Sequence, residues 1–248
     1  MIHIRSLILR RERKIDRLKA ELKSQNSLIQ NLYELFAKTN QCQLDNKEHH
    51  ILCLGNSITI HPYKPSIEWY SEHGMAASRP EFDYVHVLEN KIKSHNVDNT
   101  VSGINIADWE IDFSTDLNTL IGERYNSEDI IVIRIGENVR DTIGFASALE
   151  LLVEYCKKLT SNVILTGNVW QNAAKEQAII EVATKKKLTY VPLSWIMALY
   201  PKTYPNVGDR LYDMEGKPYL IKKEFIITHP NDIGMGMIAE TIYNALRI

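Results

Sequence analysis

The sequence predicts an α/β fold: a flavodoxin-like, three-layer α/β/α domain with a five-stranded parallel sheet, preceded by an N-terminal coiled-coil helix. Three observations support this prediction. Short apolar runs alternate with helical periodicity from about residue 50 onward, residues 1–40 show a heptad pattern without proline or glycine, and 44% of the 248 residues are hydrophobic. This composition is ample for one large packed domain with an appendage.

The N-terminal segment has the apolar spacing of a coiled coil. Its two series of positions, three residues apart, read Met1, Ile8, Ile15, Leu22, Ile29, Phe36 and Ile4, Arg11, Leu18, Gln25, Leu32. Such a stripe needs a partner surface, so we expect a homo-oligomer formed through residues 1–40, the alternative being docking on its own domain or on another protein. The polar stretch TNQCQLDNKEHH follows, and the predicted domains are 1–45 and 46–248.

The second region alternates predicted strands and helices. The strands are expected at His50–Leu54, Thr100–Asn105, Ile130–Ile135, Asn162–Thr166 and Leu188–Leu193, and the helices at about 82–95, 144–159, 171–187 and 232–247. Right-handed crossovers place helices on both faces of such a sheet. The expected strand order is 2-1-3-4-5, which leaves a crevice between the carboxyl ends of strands 1 and 3.

Charge and cysteine content limit the partners and the compartment. The net charge is −2 and the pI about 6.5, so no general field favours nucleic acid. Three widely spaced cysteines suggest neither a disulfide framework nor a zinc site, and a reducing, cytoplasmic location is predicted. No membrane span is expected. Neither GxGxxG nor GxxxxGK[ST] occurs, and His49, His50 and His61 lack metal-ligand spacing, so no cofactor and no metal are predicted.

Ser57 stands at the predicted crevice, directly after the buried run ILCLGN. Asn138 ends the GEN turn after strand 3, so the two loops should converge. A serine hydroxyl needs a base to become a nucleophile, and histidine is the usual one. His229 is the candidate because it precedes Asn231, which can cap the last helix and so fix the position of the imidazole.

Attack by serine on a carbonyl also requires donors for the developing oxyanion. The candidates are the Ser57 amide, the Asn138 side chain and a backbone N–H after strand 2, near Gly103 or Ala107. Each residue taken alone has a purely structural interpretation: Ser57 as a helix cap, His229 as a loop histidine and Asn138 as a turn residue. All three residues are expected at the same carboxyl edge of the predicted sheet, and this favours the catalytic interpretation.

Three blocks of this sequence resemble those of the SGNH hydrolases, also called GDSL-like esterases. GNS at 55–57 resembles the nucleophile block, IGEN at 135–138 the oxyanion-hole block, and HPNDIGM at 229–235 the block with the base. The resemblance spans about residues 50–247 and omits the coiled coil. It implies a flavodoxin-like fold, Ser57 as nucleophile, His229 as base and Asn138 as an oxyanion donor.

Three positions depart from the pattern of that family. The aspartate usually found three residues before the histidine is replaced by Ile226, so either a backbone carbonyl or another carboxylate must orient the imidazole. The carboxylates that the sequence offers are Glu137, Glu110 and Glu224. The second block assigns the glycine donor to Gly103, unless the strand runs on and IADWE supplies a different N–H, and Asn56 replaces the first-block aspartate.

The resemblance implies a serine esterase for short acyl groups, with O-acetyl carbohydrate as the expected substrate class. A glycan or small-molecule ester is the expected partner. The aromatic segment after Ser57 offers a wall for a sugar ring, formed by Trp69, Tyr70 and His73, or else it covers the sheet edge with Trp69 in the core. Two alternatives stay open: an O-acyltransferase using the same acyl-enzyme, and a catalytically silent coiled-coil scaffold.

Overall fold

A computed structural model describes residues 14–15, 44–122, 129–140 and 142–247 of the chain. The chain divides into two units, Met1–Asn40 and Gln41–Ile248, and the fold below is that of the second unit. The predicted coiled coil over residues 1–40 lies outside the described residues, except for Lys14 and Ile15. It therefore stays a prediction from the heptad pattern.

The predicted five-stranded parallel sheet and its order 2-1-3-4-5 are confirmed. Its strands are β1 (His50–Gly55), β2 (Thr100–Asn105), β3 (Ile130–Ile133), β4 (Asn162–Thr166) and β5 (Thr189–Val191). The central strand β1 aligns Cys53 with Gly103 of β2 on one side and with Val132 of β3 on the other. A separate antiparallel hairpin joins β6 (Arg210–Tyr212) to β7 (Pro218–Leu220).

Helices cover both faces of the sheet. The α-helices are α1 (Tyr84–Ile92), α2 (Ala107–Ile111), α3 (Leu117–Ile121), α4 (Phe145–Leu159), α5 (Ala173–Lys186) and α6 (Asp232–Tyr243). Alternate residues of β1 point to opposite faces, so Ile51 and Cys53 pack with α1 and α6, whereas Leu52 and Leu54 pack with α4 and α5. Single turns of 3-10 helix lie at Pro65–Ile67, Pro80–Phe82 and Ile226–Thr228, and a longer one at Ser194–Leu199.

Several elements differ from the sequence prediction. Strand β3 ends at Ile133 rather than Ile135, because the chain makes its last bond to β1 through Arg134 N and then turns at Gly136, whose φ is 121°. Strand β5 is limited to the three residues that pair with β4. The short helices α2 and α3 and the β6–β7 hairpin were not predicted, since each is shorter than the window in which periodicity becomes visible.

The sheet order fixes where a site can form. Because β1 lies between β2 and β3, the loops after these three strands meet at the same carboxyl edge. The segment before α6 reaches this edge as well, since His229 contacts Ser57. Among the described residues, no helix is both long and apolar enough to cross a bilayer.

Candidate active site

Ser57 lies in a tight turn that the end of β1 makes possible. A Cβ atom at Gly55 would stand 1.8 Å from Thr59 Oγ1, so a glycine is needed for the chain to fold back so closely. The turn is held by the Asn56 carbonyl, which accepts from Thr59 N at 2.8 Å, and by the Asn56 side chain, which accepts from Ile58 N at 3.2 Å. Ser57 is therefore fixed and half-buried at the sheet edge.

His229 follows the 3-10 turn Ile226–Thr228 and precedes the last helix. Asn231 caps that helix, its side chain accepting from the N–H groups of Ile233 and Gly234. The imidazole is only 6% exposed. Its Nε2 lies 2.8 Å from Ser57 Oγ, although the two residues are 172 positions apart in the chain. This is the distance at which a hydroxyl proton can pass to a base.

The second imidazole nitrogen faces a backbone carbonyl. His229 Nδ1 lies 3.0 Å from the Phe225 oxygen, which can only accept, so Nδ1 carries the proton and Nε2 is left as an acceptor toward Ser57. Ile226, at the position of the missing acid, is buried. In the described structure, no bond to His229 comes from the carboxylates of Glu110, Glu137 or Glu224. A serine-histidine dyad is thus the geometry present.

Burial sets the protonation state of the imidazole. Removal from water lowers the pKa of His229 to about 4, and the hydrogen bond to the Phe225 carbonyl opposes this shift. The ring is therefore neutral near pH 7 and ready to accept a proton. A neutral form at working pH is what a general base requires.

A buried carboxylate fixes the loop after β3. Glu110, on α2, is 1% exposed, and its Oε1 accepts from Gly136 N and, at 3.4 Å, from Asn138 N. Its Oε2 accepts from Asn138 Nδ2 at 2.7 Å. A carboxylate only accepts, so it sets the orientation of the Asn138 amide and leaves that group's second N–H for another acceptor. Burial first, and then the charge of Glu137, raises the pKa of Glu110.

An ion pair beneath the site joins the two loops. Arg134, which is fully buried, donates from Nη1 to Glu137 Oε1 at 2.7 Å and from Nη2 to Asn56 Oδ1 at 2.6 Å. Asn56 Nδ2 in turn donates to Glu137 Oε2 at 2.8 Å. Asn56 therefore bonds both partners of the pair, which a carboxylate at this position could not do because it has no donor.

Ser57 and Asn138 face one cavity of about 430 Å³. It is lined by Ser57, His61, Pro62, Lys64, Asn105, Ala107, Asp108, Ile111 and Asn138. Its lining is mixed in polarity. The structure thus brings together three of the predicted site residues, Ser57, Asn138 and His229.

Gly103, the fourth predicted site residue, does not reach the cavity. It lies in mid-strand, paired with Cys53, and a Cβ atom there would meet Thr59 and Val85. The assignment of an oxyanion donor to Gly103 is therefore not supported, because β2 runs on to Asn105 before the chain reaches the edge.

The alternative segment, IADWE, does reach the cavity through Ala107 and Asp108. The backbone N–H of Ala107 already bonds Asn105 Oδ1 at 2.9 Å, and that of Ile106 bonds the Gly55 carbonyl at 2.7 Å. The segment contributes Glu110 instead, whose carboxylate accepts from the Asn138 side chain at 2.7 Å.

The aromatic segment after Ser57 buries Trp69 and His73, two of the three residues suggested as a sugar-binding wall, and leaves Tyr70 half-buried. Trp69 is fully buried and His73 is 2% exposed, and Trp69 packs with Met75 and Ala76 in a small core of its own. The reading of Trp69 as a core residue is the correct one. The indole Nε1 donates to the His61 carbonyl at 3.2 Å, which fixes the loop beside the cavity.

A second cavity lies beside His229 and was not foreseen from the sequence. Its volume is about 390 Å³, and its almost wholly apolar lining comprises Trp170, Met197, Tyr200, Tyr204, Ile227 and Thr228. The Trp170 ring stands nearly perpendicular to the imidazole, with ring centroids 5.9 Å apart. Sequence offers one signal for it: Trp170 follows strand β4, at the same sheet edge as the site.

No group of three or more potential metal ligands occurs in the part of the chain that the structure describes. Most polar groups of the described site bond each other: Glu110 accepts from N–H donors, and Glu137 accepts from Arg134 and from Val169 N at 3.2 Å. Among the described residues, Arg134 Nε has no hydrogen-bond partner. The contact between Ser57 and His229 offers nucleophilic attack assisted by a neutral imidazole.

Comparison with known proteins gives a fold relationship only. No family model matches the sequence, and no curated protein does. Among solved structures, an acetyl xylan esterase, AlAXEase, matches with a TM-score of 0.50 and 15% identity, covering 79% of this chain and 98% of its own. LAE5, described as an α/β hydrolase enzyme from the metagenome of Lake Arreo in Spain, matches with a TM-score of 0.50 and 13% identity, covering 82% and 99%.

A third structure is a two-domain esterase, CEX, active on acetylated mannans. It matches with a TM-score of 0.50 and 19% identity over 86% of this chain, and this chain covers 51% of the esterase. At such identities the likeness establishes the fold of the second unit.

The buried ion pair generates a stability prediction. Replacing Arg134 by Met leaves the buried Glu137 without its cation, and the free energy of unfolding should fall by about 3–5 kcal/mol. Arg140→Met, at an exposed position of the same loop region, is the matched control and should change stability by less than about 0.5 kcal/mol. Urea denaturation measures both, and an Arg134→Met loss below about 1 kcal/mol would contradict the structural role.

Proposed function

We propose that this protein is a serine esterase that hydrolyses short-chain acyl esters, with O-acetyl groups on carbohydrate as the substrate class. The observation that carries the proposal is the 2.8 Å contact between Ser57 Oγ and His229 Nε2, with Nδ1 held by the Phe225 carbonyl. The fold neighbours that act on acetylated xylan and mannan support the choice of acyl group and alcohol.

In the proposed reaction, Ser57 Oγ attacks the ester carbonyl while His229 Nε2 takes the hydroxyl proton. The carbonyl electron pair moves to oxygen and forms an oxyanion. Collapse of this intermediate breaks the bond to the alcohol, whose oxygen receives the proton from His229. Water then repeats the sequence on the acyl-enzyme, with His229 as base, and releases the carboxylic acid and free Ser57.

The oxyanion is assigned to the Asn138 side chain and the Ser57 backbone N–H. Asn138 lines the same cavity as Ser57, and one of its N–H groups is held by Glu110. Because the carboxylate fixes the amide before substrate arrives, little reorganisation is needed when charge develops. Glu110 is thus a positioning residue that acts through Asn138.

The oligomeric state, the location and the partner of the protein are predicted from the sequence alone. Oligomerisation through a coiled coil over residues 1–40 and a cytoplasmic location are predictions, based on the heptads and on the cysteine spacing. A glycan or small-molecule ester is the proposed partner. Neither the acyltransferase nor the scaffold alternative is favoured by a particular contact.

The Ser57→Ala variant tests the function directly. Without the nucleophile, hydrolysis of 4-nitrophenyl acetate should fall at least about a thousandfold, and a fluorophosphonate probe should form one adduct, on Ser57, in the parent protein. Ser114→Ala, which removes an exposed hydroxyl, is the control and should keep the parent rate. Equal rates for the parent and Ser57→Ala would favour the scaffold alternative.

The low pKa of His229 predicts the pH profile. The reaction needs neutral imidazole, so kcat/KM should stay level from about pH 7 down to pH 5 and fall as the pH drops through about 4. An ester without a titratable group is the substrate, and circular dichroism at each pH shows that the protein is still folded. A midpoint near the ordinary histidine value of 6.5 would contradict the burial argument.

A double-mutant cycle tests whether Glu110 acts through Asn138. Asn138→Ala should lower kcat about 100-fold or more, since one oxyanion donor is lost, and Glu110→Gln should lower it about tenfold by misorienting the amide. In the double variant, Glu110→Gln should add no further loss. Glu154→Gln, at an exposed carboxylate of α4 that pairs with Lys186 far from the site residues in the chain, is the control and should leave kcat unchanged both alone and combined with Asn138→Ala. Fully multiplicative losses for Glu110 and Asn138 would refute the positioning role.

A further inference from the structure

The cavity beside His229 is here named the aromatic cleft. Its wall consists of the six residues Trp170, Met197, Tyr200, Tyr204, Ile227 and Thr228. Three of them are aromatic and none is charged. Tyr200 is 66% exposed and Met197 41% exposed, so one side of the cleft is open to solvent, whereas Tyr204 is 5% exposed and closes its inner side.

Trp170 connects the aromatic cleft to His229, the proposed base. Trp170 Nε1 donates to the Thr228 carbonyl at 2.8 Å, and Thr228 directly precedes His229. The same indole ring stands at 81° to the imidazole. The cleft therefore adjoins His229 through Trp170 and Thr228, whereas Asn138 lines the other cavity.

The stereochemistry of the proposed reaction places the carbonyl oxygen and the leaving alcohol of the ester in different directions from Ser57. In the tetrahedral intermediate the former carbonyl oxygen must face its donors, and the leaving oxygen must face the protonated Nε2 of His229. The carbonyl oxygen therefore points to the cavity that contains Asn138. An alcohol half that leaves past the imidazole would then meet Trp170, which borders both the imidazole and the aromatic cleft.

We propose that the aromatic cleft binds an uncharged pyranose ring of the alcohol half, an inference that rests on the esterase function above. The C–H face of a sugar ring packs on aromatic faces, and the rings of Trp170 and Tyr200 offer such surfaces. The open side lets the sugar hydroxyls stay hydrated. A carboxylate-bearing sugar would lose hydration against an uncharged apolar lining without gaining a partner, so uronic acids and sialic acids are excluded.

Tyr200 is the residue to change, because it is exposed and has no contact with the dyad among the described residues. The probes are an acetylated methyl xyloside, phenyl acetate and vinyl acetate, whose alcohol half is too small to fill the cleft. In Tyr200→Ala, the ratio of KM for the xyloside ester to KM for vinyl acetate should rise about tenfold. Tyr200→Phe keeps the ring and should restore most of this ratio.

Phe82→Ala is the matched control, since Phe82 is an aromatic residue of 42% exposure that lines neither cavity. Its KM ratio should equal that of the parent protein. Failure of the parent protein to hydrolyse any of the three esters would overturn the proposed function itself. An unchanged ratio in Tyr200→Ala, with the parent active, would overturn only the cleft assignment, and a larger effect on phenyl acetate than on the xyloside ester would overturn the choice of a sugar.

Discussion

The buried pair of Arg134 and Glu137 is the interaction on which the geometry of the site depends. Asn56 bonds both members, so the turn that presents Ser57 and the loop that presents Asn138 are parts of one hydrogen-bonded unit. Charges removed from water carry a large desolvation penalty, and a single unpaired partner would be far worse than the pair. Either loop can therefore move only if the network opens, which makes the placement of both catalytic loops a property of the core.

A second buried carboxylate extends this unit to the segment after β2. Glu110 accepts from Gly136 and Asn138, and Asn56 Nδ2 lies 3.3 Å from its Oε1. Two carboxylates close together in a dry site repel each other, which is why the charge of Glu137 contributes to the raised pKa of Glu110. The cation of Arg134 and the surrounding N–H donors offset this repulsion. Hydrogen bonds thus join the loops after β1, β2 and β3 into one network at the carboxyl edge of the sheet.

The sequence was sufficient for what local pattern and parallel topology determine. Apolar strands alternating with helices predicted the sheet order, and strand ends predicted that Ser57 and Asn138 would share an edge with His229. The sequence could not predict contacts that no local sequence pattern marks. A carbonyl such as that of Phe225 is present at every residue, and Glu110 looks like any acid on a short helix until α2 turns it inward. Gly103 lies in mid-strand rather than at the edge, because strand length, not motif, decides which residue reaches the edge.

The neutral carbonyl opposite His229 has a consequence for the energetics of the dyad. A carboxylate there would stabilise imidazolium strongly and raise the histidine pKa, but its own burial would have to be offset by further donors. The Phe225 carbonyl gives weaker support to the charged ring, and burial keeps the pKa at about 4. The imidazole is thus a weaker base toward Ser57, and its protonated form is a stronger acid toward the leaving alkoxide. Because an alkyl alcohol leaves poorly unless it is protonated, this balance would favour release of the alcohol in the acylation step of the proposed reaction.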